Sequence, residues 1–143
     1  MQASEVDIRF RVILLLWGSL VVGVALFTAV VWALTSGSLG SWTPTLAPGF
    51  VKNLLSAPGL LVVVGVFFRR GRVDPSGDAD AFLRRYQTRI LIASAMQEGG
   101  GLMGLVLCLL AGTPSWALGM GSLTVVAMLM SRPARTDLDH LAR

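Results

Sequence analysis

Groups that carry chemistry are scarce in this chain. It holds one cysteine, Cys108, which excludes an internal disulfide, and one histidine, His140, near the C-terminal end. No Cys/His cluster with metal-ligand spacing exists, and no nucleophile–histidine–acid set can be built around so terminal a histidine. A glycine-rich phosphate loop after a strand is missing too, as is any internal repeat. The expectation is therefore no enzyme, no cofactor and no metal. Charge is equally thin: 14% of 143 residues are charged, and Lys52 is the one lysine among twelve basic residues. Of eight acidic residues, only Glu98 lies deep inside an apolar run.

What is abundant is apolar. Hydrophobic residues make up 54% of the chain, the mean hydropathy is +0.70, and the charges are bunched between apolar runs. An ordinary soluble domain is too polar to match this, so the composition predicts a single membrane domain over 1–143. Apolar runs at about 12–34, 50–68, 90–111 and 114–131 predict an all-α, polytopic protein, a four-transmembrane-helix bundle. The net charge of +4 does not point to nucleic acid, because the arginines sit in short segments that flank the apolar runs. The implied partner is the lipid bilayer.

Residues 1–11 are polar and include Arg9 and Arg11. A cleavable signal peptide is rejected there, since the run that follows is too long and acids interrupt the basic region, so the first helix is expected to stay in the mature protein. Gly, Ser and Pro between 35 and 50 mark a loop. In the second span, Pro58 lacks a backbone donor and predicts either a kink near 54–58 or the start of a shortened helix with Ser56 as cap. Residues 69–89 form the polar connection. Asp74-Pro75-Ser76-Gly77 reads as a turn, and Asp78 as the cap of a helix that runs through Phe82 and Tyr86 into the third span. Thr113 and Pro114 suit the cap and first position of the fourth helix, which Arg132-Pro133 stops. The tail 134–143 is expected to form an amphipathic turn capped by Thr136, with His140 at the surface.

Every arginine falls in the N-terminal segment, the second connection or the C-terminal tail, whereas the first and third connections together contain only Lys52. Cytoplasmic flanks of membrane helices carry the basic excess, so both termini should be cytoplasmic. Trp32, Trp42 and Trp116 then fall at the outer boundary, and Phe10, Phe67, Phe68 and Phe82 near the inner one. The arginines at 69, 70, 72, 84, 85 and 89 read as topology determinants in preference to a binding patch.

Glu98 is roughly 14 Å beyond Arg89 along a helix, near the middle of a ~30 Å hydrocarbon layer. At 100° per residue, Ala93, Ser94, Gln97, Gly100, Gly101, Gly104, Cys108 and Ala111 fall on one arc with Glu98 at its edge. Leu91, Ile92, Met96, Leu102, Met103, Val106, Leu107, Leu109 and Leu110 occupy the opposite arc, while Ala95 and Gly99 fit less well. Small residues mark the face where membrane helices approach closely, so Gly100, Gly101, Gly104 and Cys108 are predicted to pack against protein. A charge buried in hydrocarbon is costly, so Glu98 is expected as a neutral, hydrogen-bonding group, with Gln97 and Ser94 as polar companions.

The run ILIASAMQEGGGLMGLVLCLL resembles the carboxylate-bearing helix of rotary ATPase proteolipid (c) subunits, in which a small/apolar-Glu-small run precedes Gly-Leu-Val. That resemblance implies an ion-binding role for Glu98. The second half of the chain is also similar to small bacterial four-pass membrane proteins of unassigned function. Tyr86-Gln87-Thr88 matches their entry to the third helix, Ala95 to Gly99 their Ala-x-x-Glu-Gly, and Arg132-Pro133 the close of the fourth. This second resemblance implies a bacterial inner (cytoplasmic) membrane protein. Two readings follow: a structural or accessory subunit of a membrane assembly, as a homo-oligomer or within a larger complex, or a proton- or cation-coupling protein using Glu98.

Overall fold

The structure is a computed structural model that describes residues 3–71 and 79–134. All regular structure among them is helical: α1 (Ala3–Thr35), α2 (Pro48–Leu54), α3 (Ser56–Arg70), α4 (Ala79–Ala111) and α5 (Pro114–Met130). Three stretches are long and apolar enough to cross a membrane: Asp7–Thr35, the α2–α3 pair Pro48–Arg70, and Asp80–Ala111. The fourth apolar helix, α5, has 17 residues, a rise of about 26 Å. The turn at Asp74–Gly77, the cap at Asp78 and the tail with Thr136 and His140 lie outside the described residues.

Helices α1 and α4 each have 33 residues and are about 50 Å long, so they extend well past their apolar cores at the arginine-rich end. The extra turns of α1 reach further upstream than the expected 12–34. They are held by Arg9, whose guanidinium donates to Asp80 at 3.0 Å, and Asp80 also pairs with Arg84 one turn along α4. As expected, the amphipathic start of α4 runs unbroken into the apolar span.

The second span is split at Leu55. Pro58, buried in the first turn of α3, has no N–H to offer the Leu54 carbonyl, and α2 ends at that residue. Bonds from the Leu55 N–H to Val51 and from the Gly59 N–H to Leu55 keep the chain close to helical through the break. Ser56 is not the cap. Leu55 occupies that position, and the Ser56 hydroxyl donates to the Asn53 carbonyl at 2.9 Å. Thr113 does hold the N-cap position of α5, with Pro114 next, yet its hydroxyl turns back to the Cys108 carbonyl, 3.5 Å away.

The reason is the need of α4, whose last carbonyls have no partner within the helix. The Thr113 N–H also bonds Cys108, and the Gly112 N–H bonds Leu109. The loop after α1 supplies the rest: the Trp42 indole donates to Leu109 at 2.7 Å, and the Thr45 and Leu46 N–H groups donate to Leu110. Gly112 makes the reversal at φ 62°, with Pro44 lying where a side chain would be.

Helix α4 is central and contacts α1, α3 and α5, while α1 also packs along α5. One apolar cluster joins Val31, Val62, Leu105, Cys108, Ala117, Met120 and Ala127. A second, at the arginine end, joins Ile13, Phe82, Leu83, Tyr86 and Ile90.

Candidate functional site

Helix α4 sorts its residues by face. Ala93, Ser94, Gln97, Gly100, Gly101, Gly104, Cys108 and Ala111 are all buried, and none of the nine residues of the opposite arc is. Glycine makes that burial feasible. A Cβ on Gly100 would lie 2.7 Å from the Pro58 carbonyl oxygen and 3.0 Å from Val62 of α3. At Gly101 it would strike Thr124 of α5, and at Gly104 it would come within 2.6 Å of Met120. The backbone of α4 therefore approaches α3 on one side and α5 on the other. Ala95 and Gly99, which fitted neither arc, are exposed.

The three polar candidates are divided. Gln97 is fully buried, and its amide Nε2 donates to the Ser131 hydroxyl at 2.7 Å and more weakly to the Ala127 carbonyl at 3.4 Å. Its Oε1 is buried without a hydrogen-bond partner. Ser94 is buried one turn earlier on the same side. Glu98, by contrast, is only half-buried, at the rim between the packed and exposed faces, and makes no hydrogen bond or ion pair among the described residues. The helix period causes this, since a step of 100° from Gln97 carries Glu98 out of the interface.

Two residues that matter for Gln97 are not obvious in the sequence. Gly65 of α3 leaves the notch that admits it, because a Cβ there would stand 2.7 Å from Gln97 Cγ. The available signal is the buried series Pro58, Val62, Gly65 at helical spacing. Ser131, at the end of α5, is the hydrogen-bond partner, and only the fold brings it opposite Gln97.

At the arginine end, Tyr86 ties three elements together. It is 2% exposed, its hydroxyl accepts from Arg69 of α3 at 3.3 Å, and it donates to the Ala134 carbonyl beyond α5 at 3.4 Å. The Arg69 guanidinium also lies over its ring, and Phe82 stacks beside it. Among the described residues no group of three His, Cys, Asp or Glu side chains could hold a metal ion. Cys108 is free and buried within the first apolar cluster.

The site thus defines a helical protein with membrane-length apolar helices and an unpartnered carboxyl group on the central one. No protein-family model, curated protein or solved structure matches the chain.

Proposed function

We propose that this chain is a four-span protein of a bacterial inner membrane, with both termini cytoplasmic, serving as a structural or accessory subunit of a membrane assembly. Glu98 supplies the polar contact to a neighbouring helix of that assembly. The observation that carries this reading is the placement of Glu98, at mid-depth in an apolar helix, half-buried and unpartnered, beside exposed Ala95 and Gly99. A carboxyl group in hydrocarbon without a partner is unfavourable, and small residues next to it let another helix come close. Support for four spans comes from α5, which is apolar throughout and antiparallel to α4 after a tight reversal. Support for the orientation comes from Arg9, Arg11, Arg69, Arg70, Arg84, Arg85, Arg89 and Arg132, which all flank one end of the helices, whereas Lys52 flanks the other.

Chemical cross-linking and sizing of the protein in a mild detergent test the reading. Glu98→Gln keeps a hydrogen-bonding group and should preserve the assembly. Glu98→Leu should weaken it by about 0.6 to 2 kcal/mol. An assembly unchanged in Glu98→Leu would refute the role. A Glu98→Gln protein that assembles normally but loses its cellular phenotype would instead select proton or cation coupling, for which glutamine cannot substitute.

A further inference from the structure

Two polar features at membrane depth are left open, and they lie on opposite sides of α4. One is Glu98, half-buried and without a hydrogen bond or ion pair among the described residues. The other is the break between α2 and α3. Pro58 has no N–H for the Leu54 carbonyl, the Leu55 and Gly59 N–H groups go to Val51 and Leu55, and the Ser56 hydroxyl goes to Asn53. No donor among the described residues reaches Leu54. Asn53, Leu54, Ser56 and Ala57 are all exposed, so the break is not covered by its own chain. Irregular backbone inside hydrocarbon is tolerated only where protein or water covers it. The break therefore calls for a neighbour with a hydrogen-bond donor.

The two features share a depth but cannot meet within one chain. Gly100 marks the side of α4 that meets α3, because a Cβ there would lie 2.7 Å from the Pro58 carbonyl oxygen. Glu98 is two residues earlier, about 3 Å along the axis and about 200° around it. It points away from α3, with the width of α4 between it and the break. We propose that a second copy of this chain joins them, the Glu98 carboxyl group of one copy donating to the Leu54 carbonyl of the next. Complementarity selects this occupant. A neutral carboxyl group has one proton to donate, the open carbonyl lacks a donor, and each copy carries one of each. A two-fold pair that set Glu98 against Glu98 would leave both breaks uncovered. A head-to-tail contact serves both groups, and it repeats from copy to copy until the set closes on itself. Ala95 and Gly99 beside Glu98, and Ser56 and Ala57 beside the break, are small and exposed, so the two backbones can approach closely.

The inference rests on the Glu98 contact proposed above and names its partner, so the test keeps the two apart. Sizing of the Glu98→Leu protein in mild detergent is scored first; an unchanged assembly overturns both. Cysteines are then introduced by Leu102→Cys, one turn from Glu98 on the same side of α4, and Ala57→Cys, next to Pro58, in a Cys108→Ala chain. Both bonding groups stay in place. Treatment of the native membrane with a short bifunctional thiol reagent should give a ladder of covalent multimers from the double variant and monomer from either single one. Leu123→Cys paired with Ala57→Cys should give no ladder, although Leu123 is exposed on α5 next to Thr124, which lies against Gly101. Adding Glu98→Leu to the double variant should weaken association about 3- to 30-fold. Pro58→Ala, which gives the Leu54 carbonyl a donor of its own, should weaken it to a similar degree. Sizing of Pro58→Ala in the otherwise native chain serves if the cysteine variants do not assemble. Dimers from Leu102→Cys alone, a ladder from the Leu123 pair, no ladder from the Leu102 pair, or association unaffected by Pro58→Ala would each overturn the proposal while leaving the Glu98 contact intact.

Discussion

Four glycines on α4 form a graded test of its packing, because the same Gly→Ala change adds one methyl group to four different surroundings. Nothing lies within 4 Å of a Cβ at Gly99, so alanine there gains helix propensity alone, up to about 1 kcal/mol. At Gly104 the added group would press on Met120, whose unbranched side chain can swing aside, so the gain and the cost nearly cancel. At Gly101 the obstacle is Thr124, a stiff β-branched residue that is fully buried and whose hydroxyl is bonded to the Met120 carbonyl at 2.9 Å. At Gly100 the obstacle is backbone, the Pro58 carbonyl at 2.7 Å and the Val62 nitrogen at 3.2 Å, so α3 itself must move. Overpacking of this kind costs about 1 to 3 kcal/mol, which leaves a net loss of up to about 2 kcal/mol at Gly100 and Gly101 after the propensity gain. Reversible unfolding in mixed micelles, followed by circular dichroism, should give the order Gly99→Ala most stable, then Gly104→Ala, Gly101→Ala and Gly100→Ala. A Gly100→Ala protein as stable as Gly99→Ala would refute the close approach of α3 and α4. Gly104→Leu exceeds what Met120 can yield and should disrupt the fold, whereas Leu107→Ala, on the opposite arc, should be mild.

Reporter fusions at Ser38, Gly77 and Arg143 should give periplasmic activity only at Ser38; activity of a periplasm-dependent reporter at Gly77 or Arg143 would reverse the orientation. Gln97→Met should change stability by less than about 1 kcal/mol, because the lost bond to Ser131 is offset by removal of an unpartnered buried oxygen; a larger loss in the same unfolding assay would mean that Oε1 is satisfied in the folded protein. Tyr86→Phe keeps the packing against Phe82 but drops both hydroxyl bonds, to Arg69 and Ala134, and should cost about 0.5 to 1.5 kcal/mol, with faster proteolysis after α5 as a second readout.

Several of these features follow from the chain alone. An apolar run long enough to span hydrocarbon must be helical, because no water is available to its backbone groups, so the helices at 12–34 and 90–111 were legible as composition. The helix period then groups Gly100, Gly104, Gln97 and Cys108 on one face without reference to any neighbour. It also sets Glu98 one step beyond Gln97, at the edge of that face. Proline is equally local in its effect: Pro58 removes one donor, and the break at Leu55 follows wherever the helix lies. Tertiary structure decided what depends on residues distant in the chain. Ser56 and Thr113 look like caps by type and position, yet the Ser56 hydroxyl bonds Asn53, and that of Thr113 serves Cys108 at the end of another helix. Gln97 could be placed on the packed face but not given Ser131 and the Gly65 notch, since its partners are set by how α3 and α5 register against α4. The separation of Gln97 from Glu98 into core and rim is likewise a matter of where the neighbouring helices stop covering α4, and a one-dimensional period carries no record of their width.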